Sequence, residues 1–423
     1  MTKKAKYLIY FQLIYVLFSG LLIDVGFPKS IKYIMDMVTL LLAIVIVFDK
    51  NKKELLKHKM VCGAMFLWLV VTSAVSFVRG CEPLWIIWAY RNWARGFVFF
   101  AACIILLERT DIEKLVKLFR ISYFINFLIV IFEFLFLGQK GDYLGGIFGS
   151  SVGCNGYTNI LLCIVLILSI MQAYKNNKLG AYEWFVFCSS MIIAALEEIK
   201  IFYYEYLAII AICAILFIFI KKPDNRFLVK MTYMSLTGFV IGIILLEIFF
   251  PNSYSIIVGS KSYFYYEETS RSAYKLSRSH GISEINDKWF GDDLALQLFG
   301  MGLGNCETAS FDFLVSDFAR LYGEWNYMFC CHHILYLEGG LVGLFLFGLI
   351  FVVIALESAF QLFKSKKPDI YNVMGIVFSL ITIVSIVYNN GMRTEVQYMV
   401  YFVLAICCKQ INRSDGQEGK FLK

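Results

Sequence analysis

Charge is scarce in this chain: Asp, Glu, Lys and Arg make up 17% of its 423 residues. A soluble domain carries about 25%, so a water-soluble multidomain enzyme is excluded. Proline is scarcer still, with only Pro28, Pro83, Pro223, Pro251 and Pro368. All five fall outside or at the ends of the apolar runs described below. That leaves the helices mostly unbroken, since an interior proline removes a backbone hydrogen bond. Histidine numbers four, and no C-x-x-C pair occurs among the twelve cysteines, so the usual zinc spacings are missing. Met1-Thr2-Lys3-Lys4 leads into an apolar run without an A-x-A-like cleavage site. That run reads as a first span rather than a cleaved signal peptide.

What is present is apolar. Hydrophobic residues are 59%, aromatics alone are 17%, and the mean hydropathy is +0.69. Disorder, whose signature is low hydrophobicity, is excluded as well. A spanning helix needs roughly 20 apolar residues. Twelve runs qualify, near 7–24, 31–48, 59–78, 86–107, 117–138, 157–173, 182–197, 203–220, 229–250, 332–354, 371–389 and 395–408. The expected fold is an all-α polytopic integral membrane protein with about 12 transmembrane helices.

Orientation follows the basic residues of short loops. With both termini inside, 25 Lys and Arg lie in or beside inner segments and 8 in short outer ones. The expected organisation is nine transmembrane helices in 1–250, an extracytoplasmic loop at 251–329, three further helices in 330–408 and a cytoplasmic tail at 409–423. The net charge of +7 is then a matter of topology, and no nucleic-acid partner is expected.

Residues 251–329 hold 16 aromatics, ten acids and six bases. Long segments of this kind are commonly functional. Phe311, Leu314, Phe318 and Leu321 recur at helical spacing and predict an amphipathic surface helix. Aromatics with acids and amides also suit sugars.

Charges within a membrane are functional candidates. Arg91 and Arg95 stand at i and i+4, so they share a helix face. Two like charges there call for an anion, and guanidinium groups grip phosphate bidentately. Snorkelling to lipid headgroups is the competing use. Lys200 follows Glu197-Glu198-Ile199 and has ready acidic neighbours. Arg271 and Arg278 precede Phe299-Gly300-Met301-Gly302-Leu303-Gly304-Asn305, which reads as a tight turn, without the lysine of a nucleotide loop.

His332 and His333 are expected at the outer membrane boundary, where imidazole accepts a hydroxyl proton near neutral pH. Should neither histidine serve as base, Glu324 and Glu338 are the next candidates. Cys330-Cys331-His332-His333 resembles a metal cluster, but four adjacent residues do not easily wrap one tetrahedral ion, so no metal is expected. Cys81, Cys154 and Cys306 are expected on the same side, which leaves a disulfide to Cys330 or Cys331 open.

These features together resemble the O-antigen polymerase and ligase superfamily (Wzy/WaaL-type), most closely its capsule and exopolysaccharide repeat-unit polymerases. The shared pattern begins with the glycine-rich Gly145-Gly146-Ile147-Phe148-Gly149 leading to Asn155. It continues with the basic Lys200, with Arg271 and Arg278 ahead of Gly300-Met301-Gly302, and with histidine before Gly340-Leu341-Val342-Gly343. The family's histidine stands eleven residues before the first glycine, a position held here by Phe329; His333 stands seven before it.

The resemblance implies a GT-C-like fold in a bacterial inner membrane. It implies glycosyl transfer from undecaprenyl diphosphate to a lipid-linked repeat unit at the outer face. His333 or His332 would be the base, and Arg91, Arg95, Lys200, Arg271 and Arg278 would bind substrate. Neither nucleotide, metal nor other cofactor is implied. Partners would be the donor and acceptor oligosaccharide lipids, with a chain-length regulator and a flippase. A ligase that moves finished chains to a terminal acceptor is the alternative within the family. From another class, a transporter or lipid-linked-sugar flippase would suit the buried charges Asp36, Glu133, Glu247 and Glu357.

Overall fold

The computed structural model describes residues 2–151, 153–220, 225–258, 276–364 and 369–411. Every regular element among the described residues is helical. The helices are α1 (Thr2–Asp24), α2 (Lys32–Phe48), α3 (Lys59–Val78), α4 (Pro83–Leu106), α5 (Arg109–Phe136), α6 (Asn155–Asn176), α7 (Ala181–Leu196), α8 (Lys200–Ile220) and α9 (Asn225–Phe249). Short helices follow: α10 (Pro251–Ile257), α11 (Gly281–Ile285), α12 (Leu294–Phe299) and α13 (Asp317–Tyr322). The chain closes with α14 (Cys331–Lys364), α15 (Ile370–Tyr388) and α16 (Gln397–Ile411).

Each of the twelve apolar runs is thus a helix, and among the described residues eight helices are long and apolar enough to cross a membrane. Met37, Leu40 and Ile44 of α2, Phe66 of α3, and Phe132 and Leu135 of α5 are exposed. Apolar surface of this extent has its solvent in lipid. The chain is a helical multi-pass membrane protein. Helix α4 is diluted by Arg91, Asn92 and Arg95, and α7 and α16 are short.

Local chemistry sets the ends. Pro83 and Pro251 open α4 and α10, where the missing N–H costs nothing. Asp111 accepts from the Glu108 amide at 3.0 Å in a capping box. The same carboxylate pairs with Lys6 at 3.0 Å, joining the starts of α1 and α5. Nearby contacts in that layer run from Lys409 to the carbonyls of Ile104 and Leu107 and from His58 to Glu357. The opposite layer holds the ends joined by Ser150 to Asp24, Trp88 to Thr308 and Cys331 to Asn389. Helix α6 is buried over most of its length and forms the centre of the bundle.

Two expectations fail here. The stripe Phe311–Leu321 is not one helix: a 3-10 turn, Asp312–Leu314, is followed by α13, with Ser316 between them. Ser316 accepts from the Ala319 amide and restarts the chain as an N-cap, so Leu314 is buried while Leu321 is exposed. The second failure is the unbroken tenth span. Gly340, with φ 60° and ψ −161°, interrupts α14 without any proline.

Candidate functional site

The break in α14 frees carbonyls that need donors. Gly300, Gly302 and Gly304 all have positive φ and lay their turn directly on it. Met301 and Gly302 donate their amides to the carbonyls of Leu337 and Glu338, at 2.8 and 2.9 Å. The Glu338 carboxylate returns the favour by accepting from the Gly304 and Cys306 amides, at 2.9 and 3.3 Å. Trp68 of α3 donates to the Gly343 carbonyl at 3.0 Å. The expected tight turn is therefore a clamp that repairs a broken helix.

The second glycine segment is built alike. Gly146 donates to Glu133 at 3.0 Å and Ile147 donates to Asn126 at 2.9 Å, so Gly145–Gly149 is sunk among α1, α5 and α6. A side chain on Gly20 of α1 would collide with Phe148.

Beside the clamp lies a group of charges. Arg91 donates through Nε and Nη2 to Oδ2 of Asp36, at 2.9 and 2.8 Å. Arg95 donates to Glu395 at 3.3 Å and to the Arg393 carbonyl at 2.6 Å. Arg393 in turn donates to Glu307 at 2.5 Å, and Asn92 donates to the same oxygen at 3.0 Å. Tyr157 donates to Glu395 at 3.1 Å. The anion that Arg91 and Arg95 require is thus supplied from within the protein, by Asp36 and Glu395. Three arginines and three carboxylates balance.

Glu395 sits between α15 and α16. Burial pushes its pKa up, but the Arg95 guanidinium, backbone hydrogen bonding and the Arg91 and Lys32 charges together outweigh it and hold the carboxyl below the usual range. Arg95 is almost fully enclosed, with a side chain 3% exposed, whereas Arg91 and Asp36 are 19% and 21% exposed. Arg91 therefore fronts the group. Its guanidinium lies over the rings of Trp88 and Tyr33, at 4.6 and 5.5 Å, and Phe311 stands 5.8 Å from Tyr33. A partly open cation rimmed by aromatics suits an anionic ligand that also carries apolar sugar faces.

His332 and His333 lie elsewhere in the same layer, on the first turn of α14. Both are buried, at 5% and 1% exposure. His333 Nε2 meets the Ser277 carbonyl at 2.9 Å. Arg278 stacks between Phe329 and Tyr388 and donates to the Tyr388 carbonyl at 3.2 Å. The fold thus brings Arg278 to the histidine end and keeps Arg91 with Arg95. The segment after Tyr388 touches both groups, since Asn389 accepts from the Cys331 amide and Arg393 joins Glu307.

Lys200 is in neither group; it pairs with Glu198 at 2.9 Å. Arg271 lies outside the described residues. All twelve cysteines are free thiols, so the disulfide left open by the sequence does not form. Glu324 is exposed on the surface, while Glu338 is committed to the clamp. Sequence reasoning marked Asp36 as a buried charge but missed Glu307, Arg393 and Glu395. The signal for the last two was present in Arg393-Thr394-Glu395, charges at the very mouth of a span. No protein family matches the chain, and no curated protein does.

Proposed function

We propose that this protein is a polysaccharide polymerase of the bacterial inner membrane, transferring a glycan from undecaprenyl diphosphate to a lipid-linked repeat unit at the outer face. The observation that carries the reading is the half-open Arg91–Asp36 pair under Trp88, Tyr33 and Phe311, backed by Arg95 and Glu395. A diphosphate that reaches Arg91 competes with Asp36 for the guanidinium. Charge left on the departing diphosphate is then met by Arg91, with Arg95 behind it. Asp36, relieved of its partner, becomes the carboxylate that an acceptor hydroxyl can approach and give its proton to. The histidines take no part in this step, because both rings are shut away from the Arg91 surface. The new bond joins the donor's reducing-end carbon to the acceptor oxygen, and undecaprenyl diphosphate leaves.

The test is an assay of the purified protein in lipid vesicles with diphosphate-linked repeat units. A ladder of lengthening glycans supports the reading. A single transfer to a terminal acceptor would make the protein a ligase, and movement of the lipid across the bilayer without new bonds would make it a flippase. Neither outcome is compatible with a polymerase.

A further inference from the structure

The adjacency of Cys330, His332 and His333 argued against a shared ion, yet the fold turns the three side chains to one point. Cys330 is not helical; its φ of −122° and ψ of 140° place it in extended backbone just ahead of α14. Its sulfur therefore leaves the chain in a different direction from a helical residue and meets the histidines of the first turn. The three donor atoms lie within 4.8 Å of one another, and all three residues are buried. We infer that Cys330, His332 and His333 form a binding site for a zinc-class divalent ion.

Two further observations support the donor set. The His332 Nδ1 atom is buried with no hydrogen-bond partner. His333 is held by its Nε2, which stands 2.9 Å from the Ser277 carbonyl. A carbonyl only accepts, so the His333 Nε2 carries the proton and its Nδ1 carries the lone pair. Metal-bound histidines characteristically donate their second N–H to a carbonyl or carboxylate, which fixes tautomer and ring direction. Gly281 presses on the His333 ring where a Cβ would not fit, closing that side.

The chemistry follows from the ligands. One thiolate and two neutral imidazoles suit zinc, and three protein ligands leave a fourth position for a water or a substrate oxygen. Donor atoms around a tetrahedral zinc stand roughly 3.5 Å apart, so closure requires side-chain rotations that move the atoms by about 1 Å. Binding releases the Cys330 thiol proton to solvent. The Tyr388 carbonyl accepts from both the Cys330 thiol, at 3.5 Å, and the Arg278 Nε, at 3.2 Å, which fixes the sulfur beside the histidines. The site departs from the metal-free expectation and stands whether or not the protein transfers glycans.

The experiment is a titration of the purified full-length protein with Co²⁺, followed by absorption spectroscopy. The expected result is one equivalent per chain, with intense tetrahedral d–d bands, a thiolate charge-transfer band in the near ultraviolet, and bleaching by Zn²⁺. Cys330→Ser should abolish the thiolate band, Cys331→Ser should keep it, and His332→Ala should weaken binding at least tenfold. Absence of the thiolate band in the unmodified protein overturns the proposal, and does so even if a variant fails to fold. Persistence of the band in Cys330→Ser overturns it too, as does failure of Zn²⁺ to bleach the spectrum.

Discussion

Gly300 and Gly340 meet backbone to backbone: a Cβ on Gly300 would stand 2.6 Å from the Gly340 nitrogen. A Cβ on Gly340 would in turn strike the backbone of Leu298 and Phe299. Both residues also hold positive φ, at 71° and 60°, where an L side chain costs about 1–2 kcal/mol before any clash. Gly300→Ala and Gly340→Ala should each lower the thermal midpoint in detergent and release the turn from α14. Gly348→Ala, which meets nothing within 4 Å, should leave the midpoint unchanged. Equal midpoints for all three variants would show that the clamp does not hold the fold together.

Arg91 and Arg95 should separate activity from stability. Arg91→Ala removes a partly exposed, charge-assisted contact worth roughly 1.5–3 kcal/mol, so turnover should fall about 10- to 150-fold at nearly unchanged stability. Arg91→Lys should rescue little, because lysine lacks the planar fork. Arg95→Ala leaves Glu395 buried beside the backbone of Arg393 and should cost about 3–5 kcal/mol of stability. Arg95→Met with Glu395→Gln should recover much of that loss. Normal polymer from Arg91→Ala at equal protein level would move the diphosphate site elsewhere.

Acid should loosen the same region. The Glu395 carboxyl is held below its ordinary value of 4.5 in the fold. A depressed folded pKa contributes stability that is complete above the unfolded value and is lost as pH falls through the folded one. Thermal midpoints measured from about pH 6 down to about pH 3 should therefore fall less steeply in Glu395→Gln than in the unmodified protein. Parallel curves would mean that Arg95 gives this carboxylate no net advantage.

The long segment between α9 and α14 should be external. The motivation is the bias of short-loop basic residues, 25 inside against 8 outside. A reporter fused near residue 290 should be accessible from outside the cell. A cytoplasmic reporter would invert the topology, and the transfer reading would go with it.

The helices were legible because apolar runs bounded by charges are local and nearly continuous. Arg91 and Arg95 were legible as a shared face, but their partners were not, since Asp36 comes from α2 and Glu395 from the connector between α15 and α16. The Glu307–Arg393 pair joins residues 86 positions apart, which no spacing rule reaches. The break at Gly340 escaped notice because its cause lies in another segment, the turn of Gly300 to Gly304. The stripe from Phe311 to Leu321 misled because a serine with a capping hydroxyl restarted the chain inside it. His332 and His333 stand out in the sequence, but their burial depends on residues 276–281 folding over them, which sequence alone does not convey.

The stretch from Tyr388 to Glu395 is a shared tether. At one end its carbonyls anchor Cys330, Cys331 and Arg278; at the other its side chains and backbone anchor Arg95 and Glu307. So short a connector between two helix ends has little slack. Anything that shifts it while bound at one end alters the geometry offered at the other. Thermodynamic reciprocity then requires that occupancy of the second site alter affinity at the first by the same factor.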